Sequence, residues 1–230
     1  MAAPFSAVLF DAGGVLVYPD PDVLVPLLSW YGASDDPADY FRAHYAAMAA
    51  KSAEGSPEDD WSGFDAAFVR SVGVQAGSEE EAARVLGRTR HAHIWRAPVE
   101  GSARGLGELN GLGVPIGVVS NASGQIESVL RRSGICQVGG GPHANVLCVV
   151  DSHVVGVAKP DPAIFDHALV HLDGTDRSRI AYVGDSVTMD VGGATAAGLT
   201  PVLFDPFDDS AHLFDGMRVR SLADVVALFR

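Results

Sequence analysis

The sequence is short of cysteine, of cations and of long apolar runs, and each shortage removes a class of protein. Two cysteines, Cys136 and Cys148, in 230 residues make neither a four-ligand zinc set nor a disulfide framework. A reducing cytosol is the simplest setting for the two thiols, with pairing between them still open. Lysine and arginine total 16 against 29 aspartates and glutamates, a formal net charge of −13. No basic block offsets that excess, which disfavours a nucleic-acid backbone as partner. An anionic substrate would need a metal ion or a few placed cations to receive it. No apolar run approaches the ~18 residues of a membrane span, and no basic-then-apolar leader opens the chain. The expectation is a cytoplasmic protein with no membrane or nucleic-acid partner; its oligomeric state is not readable. Hydrophobic residues, by contrast, make up 47%, enough for a full core plus an accessory module.

The chain is organised around Ala7-Val8-Leu9-Phe10-Asp11-Ala12-Gly13-Gly14-Val15-Leu16. Val8, Leu9 and Phe10 read as a short buried strand that stops at a carboxylate, and Gly13-Gly14 lets the backbone turn sharply close to a ligand. Tyr18-Pro19-Asp20-Pro21-Asp22 reads as a linker or turn. From about 23 to 96 the apolar residues recur at helical spacing: Val23, Leu24, Leu27, Leu28, Tyr31; then Tyr40, Phe41, His44, Tyr45, Met48; then Phe64, Ala67, Phe68. Ser78 before Glu79-Glu80-Glu81 starts a helix running toward His91. No part of this block reads as a strand, so 19–96 is expected to be a helical insertion between core segments 1–18 and 97–230.

Strand and helix then alternate. Strands are expected at 114–119, 146–150, 180–183 and 200–204, and helices at 101–112, 125–133, 162–172, 189–197 and 222–229. Residues 137–144, with Gly139-Gly140-Gly141, are expected to be a flexible loop. This rhythm predicts an α/β fold with a parallel, doubly wound sheet.

Polar groups end three of the strands: Asp11, Ser120-Asn121 and Gly184-Asp185-Ser186, with Lys159-Pro160 opening a helix between the last two. In a parallel sheet these positions share the rim where open α/β sheets bind ligands. Asp11, Asp185 and Asp190 would crowd there, and carboxylates in one cleft repel unless a cation sits among them. Oxygen ligands with room for water and a phosphate suit Mg²⁺. Ser120 would donate to a phosphate oxygen, and Lys159 would bring positive charge to that group and to Asp11. Plainer readings exist: Asp11 as a turn residue, Ser120 as a strand-end cap, Lys159 as a solvated lysine, Asp190 as a helix cap. For the first three the set reinforces itself against them. Asn121 is expected to hold the turn behind Ser120. Arg42 and Lys51 default to solvated helix faces, and Trp61 to Phe68 to core.

Phe10-Asp11-Ala12-Gly13-Gly14-Val15-Leu16, Val119-Ser120-Asn121, Lys159-Pro160-Asp161-Pro162 and Gly184-Asp185-Ser186-Val187-Thr188-Met189-Asp190 resemble motifs I to IV of the haloacid-dehalogenase-like (HAD) hydrolases. They stand in the family's order and cover nearly the whole chain. The resemblance implies a Rossmann-like core with a helical cap between motifs I and II, and Mg²⁺-dependent chemistry through an aspartyl-phosphate. Carried over, Asp11 is the nucleophile. Ser120, with Asn121, binds the transferring phosphoryl group, and Lys159 neutralises charge on it and on Asp11. The metal would be held by Asp11, Asp185, the Gly13 backbone carbonyl and, through water, Asp190.

Gly13 departs from the family's pattern. Most phosphatases that the chain resembles carry a second aspartate there, which protonates the leaving alkoxide and then activates water. Losing general acid–base catalysis typically costs ~10² to 10⁴ in rate. A leaving group of low pKa, such as an acyl phosphate or a sugar-1-phosphate, would need the acid less; some members with glycine here resemble sugar-phosphate phosphatases. A cap histidine, His44, His91 or His93, is a possible substitute, though surface or packing roles are the default for each. Three functions follow. A Mg²⁺-dependent phosphatase of a small phosphorylated metabolite ranks first. A non-hydrolytic protein binding metal and a phosphorylated ligand or partner ranks second, kept open by Gly13. A haloacid dehalogenase is a distant third, since those enzymes usually carry an aromatic residue two after the nucleophile and need no metal.

Overall fold

The computed structural model describes residues 3–89 and 92–230. The first strand, β1 (Ala7–Phe10), is buried along its whole length and leads into a tight loop and β2 (Val17–Pro19). Helices α1 (Pro21–Ser29), α2 (Pro37–Glu54), α3 (Ser62–Ser71) and α4 (Glu79–Thr89) follow, before β3 (Trp95–Pro98) returns antiparallel to β2. Asp20 and Asp36 cap α1 and α2 through side-chain oxygens that accept from Asp22 N–H and Ala38 N–H, each with proline in the first turn. Gly55, at φ 64°, ends α2 in the left-handed conformation that glycine adopts without strain.

The remainder alternates: α5 (Ser102–Gly111), β4 (Ile116–Ser120), α6 (Ile126–Arg132), β5 (Cys136–Val138), β6 (Ala144–Val146), β7 (Val149–Asp151), α7 (Ser152–Val155) and α8 (Ala163–Leu169). Then come β8 (Ile180–Gly184), a π-helical turn (Val187–Val191) running into α9 (Gly192–Ala196), β9 (Thr200–Phe204), β10 (Arg218–Val219) and α10 (Leu222–Ala227). Six strands form one parallel sheet in the order β10-β9-β8-β1-β4-β7.

Side-chain alternation along β1 divides the core. Val8 and Phe10 pack with Val118, Val183 and Leu106 on one face, while Ala7 and Leu9 pack with Val119, Phe165 and Tyr182 on the other. Burial of each such leucine or phenylalanine stabilises the fold by roughly 1.5–3 kcal/mol, and helices over both faces explain why these strands are apolar throughout. A third apolar cluster, including Leu24, Leu28, Tyr40, Phe64, Phe68 and Leu86, lies within helices α1 to α4. Among the described residues no helix is long and apolar enough to cross a membrane.

Several expectations need correction. Tyr18 and Pro19 belong to β2, an edge ribbon where a proline lacks no necessary partner, and Trp95 to Pro98 form its mate. The glycine loop is flanked by β5 and β6, which pair in parallel as a separate small sheet. The single strand expected at 146–150 is broken at Leu147-Cys148 into β6 and β7. The helix expected from Met189 starts as the π-helical turn, and the Lys159–Pro160 peptide is a cis turn with α8 beginning only at Ala163. Both cysteines are free thiols. His91 lies outside the described residues.

Candidate active site

Asp11 is held by the sheet beyond the end of β1: its N–H donates to the Val183 carbonyl at 2.8 Å, continuing the ladder to β8. The Lys159 ammonium is inserted beside it. It lies 3.0 Å from Asp11 Oδ1 and 2.6 Å from Asp190 Oδ1, and donates to the Tyr182 hydroxyl at 2.8 Å. That hydroxyl passes its own proton toward the Val119 carbonyl, 2.9 Å away. Asp190 Oδ2 accepts from Ser186 N–H at 2.9 Å, so this carboxylate fastens the β8 loop as well as the lysine. Asp190 is not the helix cap; Ser186 is, accepting from Met189 N–H.

Asn121 grips the backbone of Lys159 at both ends of its amide. Its Nδ2 donates to the Lys159 carbonyl at 3.0 Å and its Oδ1 accepts from the Lys159 N–H at 2.8 Å. The turn that it holds is therefore the lysine's own loop, on the neighbouring chain segment, rather than the one behind Ser120.

The electrostatics follow from burial. Desolvation raises the Asp11 carboxyl above its usual range, against the pull of Lys159, with Asp190 and Asp185 adding to the rise. Asp185 is also raised, chiefly by burial, and His44 opposes that. Burial works to lower the Lys159 ammonium, yet Asp11 and Asp190 overcome it and keep that group protonated. Asp11, Asp185 and Asp190 each bring a carboxylate oxygen within 4.8 Å of the others. Three buried carboxyls around one ammonium leave an excess of negative charge, and hard oxygen donors in that arrangement fit a divalent cation such as Mg²⁺.

Glycines make the close packing possible. A Cβ on Gly14, which has φ +68°, would meet Asp185 Oδ2 at 1.8 Å and His44 Nε2 at 2.6 Å. A Cβ on Gly13 would lie 3.1 Å from Cζ3 of Trp95, so the indole covers the space where a side chain at this position would begin.

A cavity of about 350 Å³ opens above these groups, lined by Asp11, Gly13, Ser120, Asn121, Lys159, Asp185 and Asp190 among others. Asp11, Gly13, Ser120, Asn121, Lys159, Asp185 and Asp190, which the sequence marked as nucleophile, phosphate or metal groups, thus border one space. Helices α1 to α4 and their loops add Met48, Glu58 and Trp61, and β3 adds Trp95. Glu58 had no signal in the sequence beyond an acidic turn, and Trp61 departs from a purely core role.

Arg42, Lys51 and His44 fall differently from their defaults, while His93 keeps its own. Arg42 forms a two-pronged ion pair with Asp209. Lys51 is buried and donates to the carbonyls of Pro57 and Asp60, far from a solvated helix face. His93 is exposed. His44 is buried, and its Nε2 donates to Asp185 Oδ2 at 2.8 Å, a long-range contact that helical periodicity could not show.

Comparison with known proteins gives the family. Residues 5–198 match the family model for haloacid dehalogenase-like hydrolases, and the chain belongs to that family of hydrolytic enzymes. The pyrimidine 5'-nucleotidase YjjG of Escherichia coli is 31% identical over 149 residues, 60% of this chain and 63% of that protein. Ribulose-1,5-bisphosphate 5-phosphatase of Halopiger xanaduensis is 35% identical over 106 residues, 46% of this chain and 41% of that one. The chain therefore aligns with less than two thirds of the length of either. Phosphoserine phosphatase of Thermus thermophilus is 30% identical over 171 residues, 72% of this chain and 65% of its own length. Among solved structures, a HAD phosphatase from Thermococcus onnurineus superposes with a TM-score of 0.60 at 23% identity, over 97% of each chain, a likeness of fold.

Proposed function

We propose that this hydrolase is a Mg²⁺-dependent phosphatase acting on the phosphate monoester of a small metabolite, with Asp11 as nucleophile. The observation that carries the reading is the Asp11 carboxylate at the cavity floor, 3.0 Å from the Lys159 ammonium and bordered by Ser120. The activities for which three relatives are named, a pyrimidine 5'-nucleotidase, a ribulose-1,5-bisphosphate 5-phosphatase and a phosphoserine phosphatase, support it.

An Asp11 oxygen attacks phosphorus in line as the ester P–O bond breaks, and the departing oxygen takes up a proton. Water then attacks the aspartyl-phosphate, the P–O bond to Asp11 breaks, and inorganic phosphate leaves with the carboxylate restored. Lys159 offsets charge on Asp11 and on the transferring group, and Ser120 donates to a phosphoryl oxygen. Asn121, assigned to phosphate from the sequence, acts instead by fixing Lys159. Asp11, Asp185, the Gly13 carbonyl and, through water, Asp190 would hold Mg²⁺, which when bound stabilises negative charge on the phosphoryl group. Residues 19–96 act as the cap that roofs the site and selects substrate, in a cytoplasmic enzyme that takes neither nucleic acid nor membrane as partner.

The test is phosphate release from a panel of phosphorylated metabolites with and without Mg²⁺, alongside Asp11→Asn. Metal-dependent release that the variant lacks is expected. A folded protein that binds Mg²⁺ yet releases phosphate from nothing would instead favour the non-hydrolytic reading, and halide release from a 2-haloacid the dehalogenase one.

A further inference from the structure

The phosphatase reading leaves one role unfilled, the acid that protonates the departing oxygen. Gly13 cannot supply it, and the adjoining space is taken by Trp95. The cavity's other acidic groups are committed: Asp11 to phosphorus, Asp190 to Lys159 and Ser186, Asp185 to His44. The Lys159 ammonium is divided among Asp11, Asp190 and Tyr182. Among the described residues, one carboxyl on the cavity wall comes from the insertion instead of the sheet rim, that of Glu58.

Position favours it. In-line displacement sends the leaving oxygen away from Asp11, out from the sheet rim and toward whatever closes the cavity above. Of the described residues that the insertion contributes to the cavity, Met48, Glu58, Trp61 and Trp95, Glu58 alone carries a carboxyl that can give and regain a proton.

Its loop is anchored for that purpose. Beneath it the buried Lys51 ammonium draws in the Pro57 carbonyl at 2.6 Å, the Asp60 carbonyl, and the Glu58 carbonyl at 3.5 Å, while the Trp61 ring covers the same ammonium at 4.6 Å. A buried cation gathering successive carbonyls gives the turn a fixed shape, which a proton donor requires. Burial raises the Glu58 carboxyl above its ordinary value, with Asp190 adding, against Lys159, the Asn121 amide and Lys51. That balance keeps more of it protonated than an exposed glutamate would be.

We propose that Glu58 donates the proton to the leaving oxygen, and that its carboxylate then takes a proton from the water attacking the aspartyl-phosphate. The proton count closes over one turnover: one given as the ester P–O bond breaks, one regained as water adds. The proposal rests on the phosphatase reading.

The experiment compares wild type and Glu58→Gln on two esters, an aryl phosphate whose phenolate leaves without help and an alkyl phosphate whose alkoxide does not. The expected result is a kcat/KM loss, which reads the step that expels the leaving group, of ~10²- to 10⁴-fold on the alkyl ester and under about tenfold on the aryl ester, while kcat falls on both because water attack on the shared aspartyl-phosphate has lost its base. In the wild type, the alkaline limb of the kcat/KM–pH profile should be present on the alkyl ester and absent from the variant's residual rate. Equal kcat/KM losses on both esters, a change confined to KM, or an unchanged alkyl kcat/KM in the variant would overturn the role of Glu58 while leaving the phosphatase intact. A wild type inactive on both esters would overturn the two together. Glu58→Asp covers a misfolded glutamine variant: a shortened acid should retain the selective loss on the alkyl ester in milder form.

Discussion

Gly13 and Trp95 act as a pair. A side chain at 13 meets the indole from its first carbon, 3.1 Å away, so the ring has to yield by a few tenths of an ångström before a carboxylate fits. Gly13→Asp is therefore expected to cost about 1–3 kcal/mol of stability through overpacking and to leave turnover at or below the wild-type rate. Urea unfolding and a steady-state assay on one alkyl phosphate check both parts. Asn121→Ala removes two hydrogen bonds that fix the Lys159 backbone, at 3.0 and 2.8 Å. The loss should be about 1–3 kcal/mol, with kcat falling more than KM because the residue fixes the lysine rather than the substrate. The thiols give a pH signature. Burial pushes Cys136 up to about 12 and Cys148 up to about 11 from an ordinary 9.0. Their protons are held more tightly in the folded chain, so the associated stability is full below pH 9 and declines above it. At pH ~8 both stay neutral, and alkylation should be slow until urea unfolds the chain.

At the scale of elements, legibility followed the range of the interactions involved. β1, β4, β8 and β9 were readable because each is a short apolar run fixed by burial on both faces. Asp11, Ser120 and Asp185 were readable because each directly follows or closes such a run. β2 and β3 were not, since an edge ribbon containing Pro19 and Pro98 has no apolar periodicity and exists through a partner far along the chain. Glu58, Trp95 and the His44–Asp185 contact were hidden for the same reason: they depend on where α2, the loop after it and β3 meet the sheet rim. Lys51 looked like a surface residue because its partners are backbone carbonyls, which have no sequence signature. Replacing it by Met strands those carbonyls. Lys51→Met should destabilise the protein by about 1.5–3 kcal/mol and open the 55–61 turn to limited proteolysis before the rest of the chain.

For the whole molecule, the net charge of −13 sets a condition on approach. A dianionic phosphate ester is repelled at long range, and added salt screens that repulsion before it weakens contacts inside the cavity. kcat/KM should therefore rise with KCl from low ionic strength, opposite to an enzyme that attracts its substrate by its overall field. Steady-state rates at constant Mg²⁺ decide the sign. Mg²⁺ itself should raise the melting temperature by relieving the three buried carboxyls, and Asp185→Asn should reduce that rise.

Gly14 has a consequence for how such a sequence can drift. Its missing side chain leaves the room in which Asp185, 171 positions later, meets His44 from α2. Three distant positions therefore share one small volume. Any larger residue at 14 would expel the histidine from the carboxylate, so in descendants of this chain the three are expected to persist or change as a unit.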